Sequence, residues 1–399
     1  MSSHPSFPPL RDHAPAAPYQ AGDSSSFRSP GTPLPPPRRN LPTTATIDGI
    51  SPLPSFHPPA SALPHDSQDE SIRGTNDDAV ISRASAVEMG YLSDPFIKWF
   101  VRRGAKRPPI INRGTYSRVR ALDDLTAKFL KTNPESKQVV SLGAGSDTRY
   151  FLLKAGGVSA RNYFEIDFGE NTVKKVGVLR KKKEMLELLE DYKLAMGGME
   201  IHAKGYHLIA GDLRKWETEV VAKLESHGFD KRLPTLFLSE CVMIYMLPQD
   251  SDALVRWVAT HMDNAMYVTY EQILPDDAFG RVMLHNLKMR GIELPGIHSY
   301  PTIEDQKERY LKHGFDQAHA LDMNQIWDHH TDPQEHLRIM KLEIFDEVEE
   351  WRLLSAHYCV SWAFKSSLDM QDPLSPFHGV QFTAYEPIRP VLPIKSGSS

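Results

Sequence analysis

At 399 residues with a net charge of −5, the chain carries no overall basic field for holding a polyphosphate backbone, which argues against nucleic acid as a partner. No stretch approaches the roughly 20 apolar residues that a membrane span needs. The two cysteines, Cys241 and Cys359, lie inside apolar runs, as reduced, buried thiols of a cytoplasmic protein do, rather than the bridges of a disulfide framework.

Sixteen of the 31 prolines fall in residues 1 to 64, beside Ser, His and Ala and without apolar periodicity. Such a segment cannot bury enough apolar surface to offset the entropy of ordering it, so residues 1 to 75 are expected to form a disordered arm. The arm has no apolar core for a signal peptide, and Asp12 and Asp23 do not suit a transit peptide. From residue 76 the pattern is globular. Val80 to Tyr91 and Asp94 to Val101 read as short helices, the second capped by Asp94 with Pro95 in its first turn. Arg118 to Leu130 repeats apolar residues at a helical period. Strands over 138–143, 162–167, 206–211, 234–240 and 265–271 then alternate with helices from 147 and over 170–190, 216–226 and 250–262. Alternation of this kind means a parallel sheet covered on both faces. Amphipathic helices over 277–290 and 302–313, a strand over Phe315 to Leu321, a helix over 346–354 and a strand over His357 to Phe364 complete an α/β, doubly wound, mostly parallel seven-stranded sheet. The domain is expected to end at 366, with a loosely ordered tail over 367–399.

Residues 139 to 145, Val-Val-Ser-Leu-Gly-Ala-Gly, join a buried strand to a tight glycine turn that lets backbone and ligand approach closely. By itself a Gly-x-Gly turn often does no more than pack a helix on a strand, and Thr148 stands where a dinucleotide fingerprint needs its third glycine. Acids nevertheless close three further strands, at Asp167, Asp212 and Glu240, on the edge where such sheets bind ligands. Asp167 stands where a strand-two acid meets ribose hydroxyls. Arg113 and Arg118 precede the loop, and guanidinium is the group that grips a carboxylate by two parallel hydrogen bonds. The basic run Arg180 to Lys183 reads as a solvated helix face, His329-His330 as surface without a third metal ligand, and Trp99, Trp257, Trp351 and Trp362 as core.

The string Leu-Gly-Ala-Gly-Ser-Asp-Thr-Arg over 142–149 resembles the S-adenosylmethionine loop of the leucine carboxyl methyltransferase family. Ile-Asn-Arg-Gly-Thr-Tyr-Ser-Arg over 111–118 and Ser-Glu-Cys-Val-Met-Ile-Tyr-Met over 239–246 support it, and the resemblance covers about residues 78 to 365. It implies a class I S-adenosylmethionine methyltransferase fold with extra N-terminal helices and an inserted helical lid. It implies a monomeric cytoplasmic enzyme that methylates the α-carboxylate of the C-terminal leucine of the protein phosphatase 2A catalytic subunit, forming an ester that regulates phosphatase assembly. By the same resemblance the cofactor site takes in Gly143 and Gly145; Asp167 holds the ribose, Asp212 and Leu213 flank the adenine, and Glu240 lines the methionine end. Arg118 holds the methionine carboxylate and Arg83 is a second basic contact. Arg113 is the candidate for the peptide carboxylate and Tyr245 for orienting it, both by inference. A wybutosine-type tRNA carboxyl methyltransferase, a small-molecule O-methyltransferase and a non-catalytic phosphatase-binding module remain as alternative readings.

Overall fold

Strand β1 (Gln138–Leu142) is buried at every residue, with Val139 feeding one face of the sheet and Val140 and Leu142 the other. A computed structural model describes residues 65–101 and 106–385. Around β1 the chain builds β2 (Asn162–Asp167), β3 (Lys193–Ala195), β4 (Glu200–Ala203), β5 (Tyr206–Ala210), β6 (Thr235–Glu240), β7 (Ala265–Gln272), β8 (Gln317–Asp322) and β9 (Tyr358–Lys365). The sheet order is β3-β4-β5-β2-β1-β6-β7-β9-β8. Strands β5, β2, β1, β6 and β7 run parallel, while β9 inserts antiparallel between β7 and β8. The chain winds outward in both directions from β1, so the β1–β2 and β1–β6 crevices open at the carboxyl ends where this architecture binds ligands.

The helices are α1 (His65–Glu88), α2 (Pro109–Leu130), α3 (Arg149–Ala155), α4 (Gly169–Lys181), α5 (Lys183–Leu186), α6 (Val221–Ser226), α7 (Pro248–His261), α8 (Ala278–Met289), α9 (Ile303–Lys312), α10 (Met323–His330), α11 (Pro333–Ile339) and α12 (Val348–Ala356). Leu122, Leu125 and Phe129 of α2, Phe151 of α3 and Leu179 of α4 cover one face. Leu224 of α6, Leu254 and Val258 of α7 and Tyr310 of α9 cover the other. The amphipathic helix expected over 277–290 is α8. Its Met283, Leu284 and Leu287 pack with Ile292, Leu294, Ile297 and Ile244 as a separate small core above the sheet edge. None of the described helices is long and apolar enough to cross a membrane.

Four expectations change. The sheet has nine strands among the described residues rather than seven, because the β3–β4 hairpin lies between the expected helix and β5. Residues of β3 are exposed or half-buried at an edge, so they carry no apolar period to read. Helix α1 starts at His65 rather than Val80; residues 65–75, assigned to the arm, are its first turns, and the rest of the arm lies outside the described residues. Asp94 to Val101 holds only a single 3₁₀ turn, Ile97–Trp99, although Asp94 does accept from the amides of Phe96 and Ile97. Part of the tail expected over 367–399 packs on the domain, at Phe377, Val380 and Phe382, while residues 386–399 lie outside the described residues. Phe377 and Val380 are buried in the main core, and Lys137 Nζ donates to the carbonyl of Pro376. Its apolar residues are too few and too widely spaced to read as an element.

Candidate functional site

The turn leaving β1 uses glycine where nothing else fits. Gly143 (φ +62°) and Gly145 (φ +49°) are left-handed, and a Cβ on them would lie 2.5 Å from Val242 Cγ2 and 2.4 Å from Asn76 Oδ1 respectively. Gly145 N donates to Asp167 Oδ2 at 2.6 Å, and Ser146 N to Asn76 Oδ1 at 2.9 Å. Asp167, at the end of β2, also takes Phe168 N (2.7 Å) and Asn171 Nδ2 (2.9 Å) on Oδ1. Burial pushes its carboxyl above the usual range against these three bonds. With two lone pairs per oxygen, Oδ1 is filled and Oδ2 keeps one place for a further donor.

Beside the loop lies a web of arginines and acids. Arg149, at the start of α3, reaches Asp123 (2.6 Å), Asp147 (2.5 Å) and Glu240 (3.4 Å). Arg83 of α1 bridges Asp94 (3.0 Å) and Asp147 (3.3 Å). Burial alone would raise Asp147, but Arg149, Arg83 and Lys175 outweigh it and hold the carboxyl below the usual range. Lys175 is itself buried, 2.5 Å from Glu165 and donating to the Asp147 carbonyl at 2.6 Å, so a buried ion pair props the loop from below. Arg118 of α2 places Nε 2.9 Å from Glu240 Oε1 and lies 5.7 Å from the Tyr270 ring centroid.

At the other end, Asp212 follows β5 and accepts from Arg214 N at 2.9 Å, capping the 3₁₀ turn that starts at Leu213. Arg214 also reaches Asp69 of α1 at 2.8 Å. Arg73 and Arg214 both lie over the Phe168 ring. After β6 the chain turns through Cys241 (φ +53°), and buried Glu271 of β7 accepts from the amides of Val242 (3.3 Å), Met243 (3.1 Å) and Ile244 (3.2 Å). This carboxyl fixes the turn that carries Tyr245, and burial pushes it up to about 7. The glycine turn, Asp147, Arg149, Asp167, Asp212, Glu240 and Tyr245 line one cavity of about 880 Å³, within the usual range for ligand sites, while Asp94, Asp123, Glu165, Lys175 and Glu271 support it from behind.

Residues 71–259 match the family model for leucine carboxyl methyltransferase. Leucine carboxyl methyltransferase 1 of Emericella nidulans is 38% identical over 337 residues, covering 77% of this chain and 88% of that protein. The Bos taurus protein of the same name is 37% identical over 312 residues, covering 77% and 93%. The chain belongs to the leucine carboxyl methyltransferase family. Its resemblance to the rat tRNA wybutosine-synthesizing protein 4, 33% identical over 311 residues, spans 76% of this chain but only 45% of that protein.

For this family member the structure brings Arg83, Arg118, Gly143, Gly145, Asp167, Asp212, Leu213, Glu240 and Tyr245 to the lining of one cavity. Arg113 is not among them. Its guanidinium stacks 3.6 Å from the Phe345 ring centroid with Trp327 and Trp351 at 5.5 and 5.6 Å, in a box on another side of α2. Five residues separate it from Arg118, about 140° around a helix, so the two arginines cannot face the same space. Arg113 is therefore a packing residue of the α2–α10–α12 contact. Arg83 is held by two acids, Asp94 and Asp147, and so braces the loop. Sequence reasoning missed Arg149, Asn76 and Glu271. Arg149 was legible as the last letter of the loop motif; Asn76 and Glu271 act through buried polar contacts that leave no periodic signal.

Proposed function

We propose that the protein transfers a methyl group from S-adenosylmethionine to the α-carboxylate of the C-terminal leucine of the protein phosphatase 2A catalytic subunit. The observation that carries this reading is the cavity lining, in which the described residues include no histidine and no lysine. Every lining carboxylate is ion-paired or hydrogen-bonded. Asp147 and Glu240 are tied to arginines, Asp78 to Arg107, Asp69 and Asp212 to Arg214, and Asp167 to backbone. Burial raises the Cys241 thiol and the Tyr245 phenol, so neither is an anion near neutral pH. Such a site lacks a free general base and suits an acceptor that needs none. A C-terminal carboxyl has a pKa near 3.3–3.7 and is ionised at neutral pH.

The residues fit the cofactor. The two glycines leave a cradle that a Cβ would fill, Asp167 Oδ2 keeps an acceptor place for a ribose hydroxyl, and Leu213 and Phe168 offer apolar surface to a base. Arg118 offers its terminal nitrogens to a carboxylate while Glu240 fixes its orientation. When bound, S-adenosylmethionine would supply a sulfonium methyl to a carboxylate oxygen, its C–S bond breaking so that S-adenosylhomocysteine leaves as the neutral thioether. The protein's part is alignment and exclusion of water. Helix α1 closes one side of the cavity through Asn76 on the loop and Asp69 on Arg214, and α8 covers another. Holding the reactants in line inside such a space lowers the barrier by several kcal/mol. Tyr245, carried by the Glu271-clamped turn, orients the incoming carboxylate.

Radiolabelled S-adenosylmethionine in a cell extract tests the reading. One base-labile protein band of the size of the phosphatase catalytic subunit is expected; label in tRNA or in a small molecule would overturn it.

A further inference from the structure

Gln272 Oε1 is one of three buried side-chain oxygens of the cavity wall, with Ser117 Oγ and Asn171 Oδ1, that have no partner among the described residues. Gln272, the last residue of β7, is 5% exposed and lines the cavity. It pairs in register with Tyr358 of β9. Gln272 Oε1 is buried and has no hydrogen-bond partner among the described residues. Tyr358 is in turn stacked on Tyr270, with ring centroids 5.2 Å apart and planes 12° from parallel, and Arg118 lies 5.7 Å from the Tyr270 ring. Gln272 thus ends its strand next to a stacked tyrosine pair, one ring of which lies against Arg118. Buried polar atoms in native proteins are almost always satisfied, and an orphan in a binding cavity marks the place of a ligand donor.

The chemistry of that donor is restricted. Of the groups a C-terminal substrate brings, an ionised carboxylate has no hydrogen to give and neither does an ester oxygen, whereas an amide N–H does. We infer that Gln272 Oε1 accepts the backbone N–H of the substrate's C-terminal residue, so that the site reads a terminal amino acid in amide linkage rather than any carboxylic acid of similar shape. This rests on the reading of the protein as a C-terminal carboxyl methyltransferase and adds the group that makes it peptide-selective. A site built to pair a substrate N–H rejects the analogue that lacks it, because its own acceptor is then left unpaired.

The test uses the full-length enzyme and two phosphatase catalytic subunits made by ligation, one ending in leucine through its amide and one in the corresponding hydroxy acid through an ester. For the unaltered enzyme kcat/KM is expected to fall about ten- to hundredfold on the ester substrate. Gln272→Leu, which keeps the volume, is expected to lose a similar factor on the amide substrate and to treat both substrates alike, with its affinity for S-adenosylhomocysteine unchanged. Gln272→Glu, which keeps an acceptor oxygen, is expected to retain the preference for the amide at a raised KM. Equal efficiency of the unaltered enzyme on both substrates overturns the inference and leaves the methyltransferase reading standing. So does a Gln272→Leu enzyme that loses the same factor on each, since that is the signature of a merely structural residue. Methylation of neither substrate by the unaltered enzyme overturns both.

Discussion

Replacing Asp167 by Asn probes the cofactor site at its most constrained point. The carboxylate accepts three protein hydrogen bonds, two on Oδ1 and one on Oδ2, and has one remaining place on Oδ2. The asparagine rotamer that preserves most of them keeps its oxygen toward Phe168 and Asn171 and turns its NH₂ toward Gly145 N, donor against donor. Both the loop bond and the place offered to a ribose hydroxyl are then lost. A hydrogen bond to a charged group is worth about 1.5–3 kcal/mol, so the ribose contact alone accounts for about a ten- to hundredfold loss in affinity. Stability is expected to change by less than about 1 kcal/mol, because burial already penalises the ionised carboxylate and the neutral amide removes that penalty as it removes the Gly145 bond. Calorimetric titration of the folded variant with S-adenosylhomocysteine measures the effect. An affinity within about threefold of the unaltered protein would refute Asp167 as the ribose anchor.

Arg118→Lys keeps the charge but loses the planar fork, and is expected to raise the KM for S-adenosylmethionine about tenfold or more. Arg113→Lys is expected to leave both KM values unchanged and to cost about 1–2 kcal/mol of stability in denaturant melts, through its lost stacking on Phe345. Glu271 binds its proton more tightly in the folded protein than in the unfolded chain, since burial lifts its pKa from 4.5 to about 7. Its contribution is therefore fully present below pH 4.5 and is lost as pH rises through about 7, a span worth about 3 kcal/mol at most. Glu271→Gln does not titrate, so its stability relative to the unaltered protein is expected to improve as pH rises across that window; parallel pH profiles would contradict the assignment. Phe377→Ala, at a 0% exposed ring stacked on Phe129, is expected to cost about 3–5 kcal/mol, and a loss under about 1 kcal/mol would show that this segment does not hold the core.

The parallel strands and the cofactor edge were legible because both rest on strong local signals. Branched apolar runs must be buried strands, Gly143 and Gly145 stand where backbone needs positive φ, and Asp167, Asp212 and Glu240 close strands on the ligand side. What escaped was polar and long-range. The first turns of α1 carry Asp69, Arg73 and Thr75 toward a cavity rather than toward a core, so they show no apolar stripe and read as part of a polar arm. Glu271 and Gln272 look like the polar end of a strand, and only the structure shows that one clamps three amides while the other holds an orphan oxygen. Arg113 was misread because its place in a motif outweighed its phase on the helix. The packing of Phe377 depends on Phe129 and Phe364, far away in sequence.

The most direct measurement is methyl transfer to purified phosphatase catalytic subunit, compared between the intact protein and one lacking only its terminal leucine, with the modified residue located by mass spectrometry of the C-terminal peptide. The expected result is one base-labile methyl on the terminal carboxylate of the intact protein and none on the truncated one. Equal methylation of both, or a methyl on any other residue, would contradict a site built to take a C-terminal carboxylate without a general base.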